Sequence, residues 1–182
     1  MVIALCAPAV ITYYAGAPRV ARAFGIAGLG TVTAFMLISL GLLVAGLPSH
    51  QETPRQLLIS AACLWASNVL IFASWYWRLD AGGPNARDLR GAHTDGAFLF
   101  PQMMLDAELR SQMCEDGWRP GFVDYLFLAF NTSTAFSPTD VPVLSRWAKV
   151  LMMVQAAISL ATLALLAARA LSLLHISEPT RP

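Results

Sequence analysis

The chain reads as long apolar runs separated by short breaks, with a single long polar interval. Three uncharged stretches reach the ~20 residues that a helix needs to cross a bilayer core. They are Ala23–Gln51, Gln56–Trp77 and Val150–Ala168, the last continuing past Arg169 to about Leu174. The pattern predicts membrane helices over residues 23–51, 56–78 and 146–174. A fourth run, Met1–Pro18, is uncharged but short. With the residues up to 22, it reads as an N-terminal apolar segment, the end of a membrane helix. A signal peptide is the other reading, on the triplet Ala15-Gly16-Ala17. Against it stand the lack of a positive n-region and Pro18 directly after the cut. The tail, residues 175–182 (HISEPTRP), carries no apolar pattern, which suggests that the natural end is missing or altered.

Between the second and third spans the pattern changes. Arg78–Asp124 holds 13 of the chain's 23 charged residues, so residues 79–121 must lie in water or among headgroups. Asp80-Ala81-Gly82-Gly83-Pro84-Asn85 supplies the glycine and proline that end the second helix. Residues 122–145 then form a segment of another kind. Tyr125–Thr139 is uncharged but, as a helix, reaches only about 22 Å of a ~30 Å core. Its second half, with Thr132, Ser133, Thr134 and then Ser137-Pro138-Thr139-Asp140, is a poor helix former. A short helix entering the membrane and an extended return fit this pattern, because irregular backbone is tolerated where protein or a water-filled cavity walls it. An amphipathic segment lying on the surface is the alternative. The fold class expected is all-α: multi-pass transmembrane helices with a re-entrant, pore-helix-like loop.

Composition supports the membrane reading and closes other classes. Apolar residues make up 57% and charged residues 13%, against roughly 45–50% and about 25% in soluble domains. Mean hydropathy is +0.58. A net charge of +1 gives no basic excess for a nucleic-acid partner. Cys6, Cys63 and Cys114 form no C-x-x-C pair, so the thiols read as isolated. His93, Asp95, Asp106 and Glu108 match no metal-ligand spacing and read as solvated loop charge. No nucleophile–base pair, phosphate loop or metalloprotease motif is present, so the chain reads as neither an enzyme nor a cofactor binder. Trp75, Tyr76 and Trp77 close the second span, and Trp118, Tyr125 and Trp147 flank the next segment. Such rings favour the membrane interface, whereas Trp65 in mid-span reads as ordinary packing.

The segment from Asp124 to Leu174 resembles the pore module of potassium channels: helix, re-entrant loop, inner helix. That family's loop typically reads T-L-T-T-V-G-Y-G-D. With Asp140 set on the terminal Asp, Thr132 and Thr134 fall on family threonines. Ala148-Lys149 and Ala168-Arg169 then fall on the Ala-Arg pairs that often open and close the inner helix. Gln56–Trp77 takes the outer-helix place. The chain also resembles an uncharacterised family of bacterial multi-pass membrane proteins. The resemblance implies a homotetramer in the bacterial cytoplasmic membrane, with the lipid bilayer and monovalent cations as partners. The filter departs from the family. Ser137, Pro138 and Thr139 stand at G-Y-G, where glycines permit the backbone angles of a carbonyl ladder, and Pro138 fixes φ and removes an N–H.

The pore-like candidates are therefore Thr132, Ser133, Thr134, Ala135, Phe136, Ser137, Pro138, Thr139 and Asp140. Hydroxyls ending in a carboxylate suit weakly selective cation passage. Alternatively the hydroxyls satisfy backbone groups where the loop turns. Ser67 and Asn68 in mid-span, and Gln155 in the inner helix, either bridge helices or line the pore. Ala157, Ala161, Ala164 and Ala168 make a smooth stripe for close helix packing, or are alanines with no special role. Ser159 holds the place where many channels put a hinge glycine. The function expected is a weakly selective monovalent cation channel; the other reading is a non-conducting scaffold that keeps the same fold. Orientation divides the two lines of argument. The positive-inside rule puts the arginine-rich side in the cytoplasm, and the channel resemblance puts it outside.

Overall fold

A computed structural model describes residues 18–46, 54–90, 93, 95–114, 117–134 and 140–176. Its helices, in chain order, are α1 (Pro18–Ala45), α2 (Pro54–Leu79), α3 (Pro84–Asp88), α4 (Pro101–Met104), α5 (Ala107–Met113), α6 (Phe122–Thr134) and α7 (Arg146–Ile176). A 3-10 turn, Asp80–Gly82, follows α2. Among the described residues there is no strand, only an isolated antiparallel bridge between Phe98 and Val143. The fold is all-helical, and α1, α2 and α7 are each long and apolar enough to cross a membrane. The segment before Pro18, residues 135–139 and the tail from 177 lie outside the described residues.

Uncharged runs mark the spans but not the helix ends. α1 begins at Pro18 rather than Ala23 and stops at Ala45 rather than Gln51. A proline suits the first turn because its missing N–H has no helical partner there. Arg19 and Arg22 continue the helix outward, since long basic side chains reach from an apolar helix to water. At the other end the Gly46 N–H bonds back to the Leu42 carbonyl at 2.9 Å. α7 likewise starts at the charged Arg146, where the Ser145 hydroxyl accepts from the Ala148 N–H at 3.4 Å.

α2 is the hub, packing against α1, α6 and α7, while α6 also packs on α7. α1 and α2 are antiparallel: Arg78, near the end of α2, lies over Gly25, near the start of α1. Trp75 Nε1 adds a 3.0 Å hydrogen bond to the Thr33 hydroxyl. Most of the core lies where α2 ends. Phe98 stands within 6.1 Å, ring to ring, of Tyr76, Tyr125 and Trp147, each edge to face. The aromatic cluster expected at the interface is thus partly core, with Tyr76 and Tyr125 fully buried. Trp65 does pack in mid-span, edge to face on Phe130 at 5.8 Å.

Among the described residues, the alanine stripe of α7 does not face the other helices. Ala157, Ala161 and Ala164 are exposed, and the inward face carries Gln155, Ile158, Ser159 and Thr162. The polar groups decide the rotation. Amide and hydroxyl side chains need partners that hydrocarbon cannot supply, so they turn inward and carry the alanines outward. Ala168 lies in α7, and its side chain is outside the described ones.

Candidate functional site

Two buried polar clusters hold the three-helix unit α2–α6–α7. The deeper one centres on Gln155. Its Nε2 donates to the Ala129 carbonyl and to the Ser133 hydroxyl, both at 2.8 Å. Its Oε1 accepts from the Tyr76 hydroxyl. Asn68 Nδ2 donates to the Gln155 backbone carbonyl at 3.3 Å and to the Ser159 hydroxyl at 2.7 Å. Side chains on a helix lean toward its N-terminus. Tyr76, near the end of α2, therefore reaches inward to Gln155, two to three turns into α7. Asn68, Gln155, Ser133 and Ser159 are all fully buried. Asn68 Oδ1 is buried without a hydrogen-bond partner.

The second cluster sits where α2 ends and centres on Asp80, also fully buried. Its carboxylate accepts from the Tyr125 hydroxyl at 2.6 Å and from the Ala97 N–H. His93 Nε2 lies 3.2 Å from it. Burial, and then the neighbouring Asp80 charge, push the Tyr125 phenol up, so it stays protonated and donates. Arg87 Nη1 donates to the Trp77 carbonyl at 2.8 Å and the Asp80 carbonyl at 2.9 Å, capping α2 with a cation at its negative end. Its guanidinium also stands 5.2 Å over the Tyr125 ring. Segment 97–99 is tied down by Asp80 and pairs with the stretch leading into α7: Leu99 N–H to the Pro142 carbonyl at 3.0 Å, and Leu144 N–H to the Ala97 carbonyl at 2.8 Å.

α6 runs between these clusters. Tyr125 in its second turn binds Asp80, and Ser133 in its last turn binds Gln155. Tyr125, Leu128, Ala129, Thr132 and Ser133 face inward at helical spacing, while Val123, Phe127, Phe130 and Thr134 face outward. Asp124 fixes the helix start by accepting from the Gly121 N–H at 2.7 Å.

The pore-like residues divide. Thr132 and Thr134 donate to the carbonyls of their own helix, Leu128 at 2.8 Å and Phe130 at 3.0 Å. Thr132 is buried inside the subunit, whereas Thr134 and Asp140 are exposed. Ala135, Phe136, Ser137, Pro138 and Thr139 lie outside the described residues. Asn68 and Gln155 bridge helices, Ser159 accepts from Asn68, and Ser67 is half-buried on α2. His93 corrects its expected place: it is buried against Asp80 rather than solvated, while Asp95, Asp106 and Glu108 are exposed. Among the described residues no three His, Cys, Asp or Glu side chains gather as a metal site. Asp80, Arg87 and the hydroxyl of Tyr76 went unmarked in the sequence. An acid directly after the aromatic end of a membrane helix was the available signal. Compared with protein-family models, curated proteins and solved structures, the chain matches none.

Proposed function

We propose that the chain is one subunit of a weakly selective monovalent cation pore in a bacterial cytoplasmic membrane. In this reading α2 is the outer helix, α6 a re-entrant helix and α7 the inner helix. Four copies surround an axis, and the lipid bilayer covers the rest. The observation that carries it is the course of the chain around α6. The helix starts beside Asp80, and its last turn meets Gln155, two to three turns into α7. The chain is then back beside Phe98, at the starting end, by Val143. Thirteen residues span about 20 Å, too short to cross a ~30 Å core. Thr134 and Asp140, on either side of residues 135–139, are exposed in the single subunit and free to meet an axis. The apolar outward residues Phe127 and Phe130 suit a neighbouring copy or lipid.

A carboxylate at the loop exit raises the local cation concentration while the ions keep part of their water. Pro138 within the loop argues against a potassium-type carbonyl ladder. The test is a planar-bilayer recording of the purified protein under opposing sodium and potassium gradients. A current with weak discrimination, reduced several-fold by Asp140→Asn with helicity unchanged, is the expected result. Strong potassium selectivity would refute the filter argument. One observation favours the scaffold reading instead: Thr132 and Ser133 use their hydroxyls inside the subunit. Absence of current at every potential and salt would favour that reading.

A further inference from the structure

A cavity of about 340 Å³ opens beside the end of α2, lined by Arg87, Arg119, His93, Trp77, Phe122 and their neighbours. Two features of its wall are incomplete. Arg87 is 93% buried, taking its 7% exposure, yet among the described residues it makes no ion pair. Nη1 serves two carbonyls, and three of a guanidinium's five N–H donors remain beyond those bonds. A buried cation without a counter-charge is costly, and an anion offsets that cost. The His93 side chain is 8% exposed, and its Nδ1 has no hydrogen-bond partner. Because His93 touches Asp80 and also lines the cavity, it stands between that carboxylate and the space.

Among the described residues, the acids beside the cavity are committed elsewhere. Asp80 is held by Tyr125, Ala97 and His93, Asp124 accepts from the Gly121 N–H, and neither lines the cavity. Arg119 brings a second guanidinium. Trp77 and Phe122, edge to face at 5.8 Å, form an apolar wall. From this the geometry points to a binding site for a phosphate ester. Its oxygens meet Arg87, Arg119 and His93 Nδ1, and its organic part lies on Trp77 and Phe122. A carboxylate offers two oxygens to this donor set, and a phosphate offers more, in the forked geometry that guanidinium matches. The volume, near the low end of ligand pockets, leaves room for a small esterified group beyond the phosphate. Basic pockets beside membrane helices take lipid headgroups in this way, and a soluble phosphate ester presents the same chemistry.

Phosphorus NMR on the whole protein in a phosphorus-free detergent separates the two sources. Glycerol phosphate is one probe and dihexanoyl-phosphatidylglycerol the other, each measured against protein-free micelles. Saturable broadening of either resonance is expected, weakened about tenfold or more in Arg119→Gln and His93→Gln. Broadening of the first probe identifies a soluble ester, and broadening of the second alone identifies a headgroup. Because Arg87 also caps α2, Arg87→Lys, which keeps the charge and loses the fork, replaces the neutral variant. Circular dichroism confirms that each variant is folded. Absence of saturable broadening with both probes, or binding unchanged in folded Arg119→Gln and Arg87→Lys, would overturn the site.

Discussion

Gln155 carries no charge, yet its loss reaches three helices. Replacing it with leucine fills the space but removes the acceptor of the Tyr76 hydroxyl and the donor to Ser133 and the Ala129 carbonyl. Hydrogen bonds between membrane helices average about 0.6 kcal/mol and reach about 1.7. Three such partners put Gln155→Leu at about 2–3 kcal/mol of destabilisation. Ser133→Ala, which loses one, should cost about 1 kcal/mol or less. Thermal unfolding in detergent, followed by circular dichroism, gives both values; equal effects would show that Gln155 is not the hub. This cluster was half legible in the sequence. Polar residues inside apolar runs must find partners, so Asn68 and Gln155 were marked as bridging candidates. Which partners they find depends on how α7 is rotated, and the alanine stripe does not tell which face turns inward within one chain. The Asp80 cluster was not legible, because its carboxylate meets Ala97 and Tyr125 only after the long polar interval has closed on itself.

At the scale of elements, the turn that ends α2 decides where everything after it goes. Ala81, Gly82 and Gly83 all take positive φ, +47°, +83° and +92°. The chain reverses there, and the Gly83 N–H bonds to the Asp80 carbonyl at 2.8 Å. A Cβ at Gly83 would fall 2.8 Å from the Arg78 carbonyl oxygen, a backbone atom that cannot swing aside. Gly83→Ala combines that clash with a left-handed φ, so a loss of about 1–3 kcal/mol is expected. Gly25→Ala is the control. Its Cβ would meet the Arg78 guanidinium, the movable end of a flexible side chain, so it should be nearly neutral. Comparing the two melting temperatures checks the argument, and similar losses would remove the turn's special role. The Gly-Gly-Pro sequence announced a helix end but not its direction. The short α6 was legible from length alone, since too few apolar residues precede the threonines and Pro138. The true ends of α1 and α7 were not, because a helix runs on through arginines that an uncharged run excludes.

For the whole molecule, the packing of Arg78 over Gly25 puts the start of α1 and the end of α2 on one side, and α7 begins on that same side beside Phe98. Arg19, Arg22, Arg78, Arg87, Arg90, Arg110, Arg119, Arg146 and Lys149 therefore gather at one end of the bundle, and Arg55 begins α2 at the other. The positive-inside rule counts lysine and arginine near span ends and ignores acids. Asp95, Asp106 and Glu108 therefore do not dilute the signal. The channel resemblance gives the opposite side, but it rests on a loop whose G-Y-G positions hold Ser137, Pro138 and Thr139. The charge asymmetry acts on insertion itself, whereas a short helix can enter a bilayer from either face. The basic end is therefore expected in the cytoplasm, with α6 entering from that side. Asp95→Cys, exposed in the polar interval, tests this in intact cells with native Cys6, Cys63 and Cys114 replaced. Labelling by a membrane-impermeant maleimide only after permeabilisation is the expected result. Labelling of intact cells would place the loop outside, as in the channels that the sequence resembles.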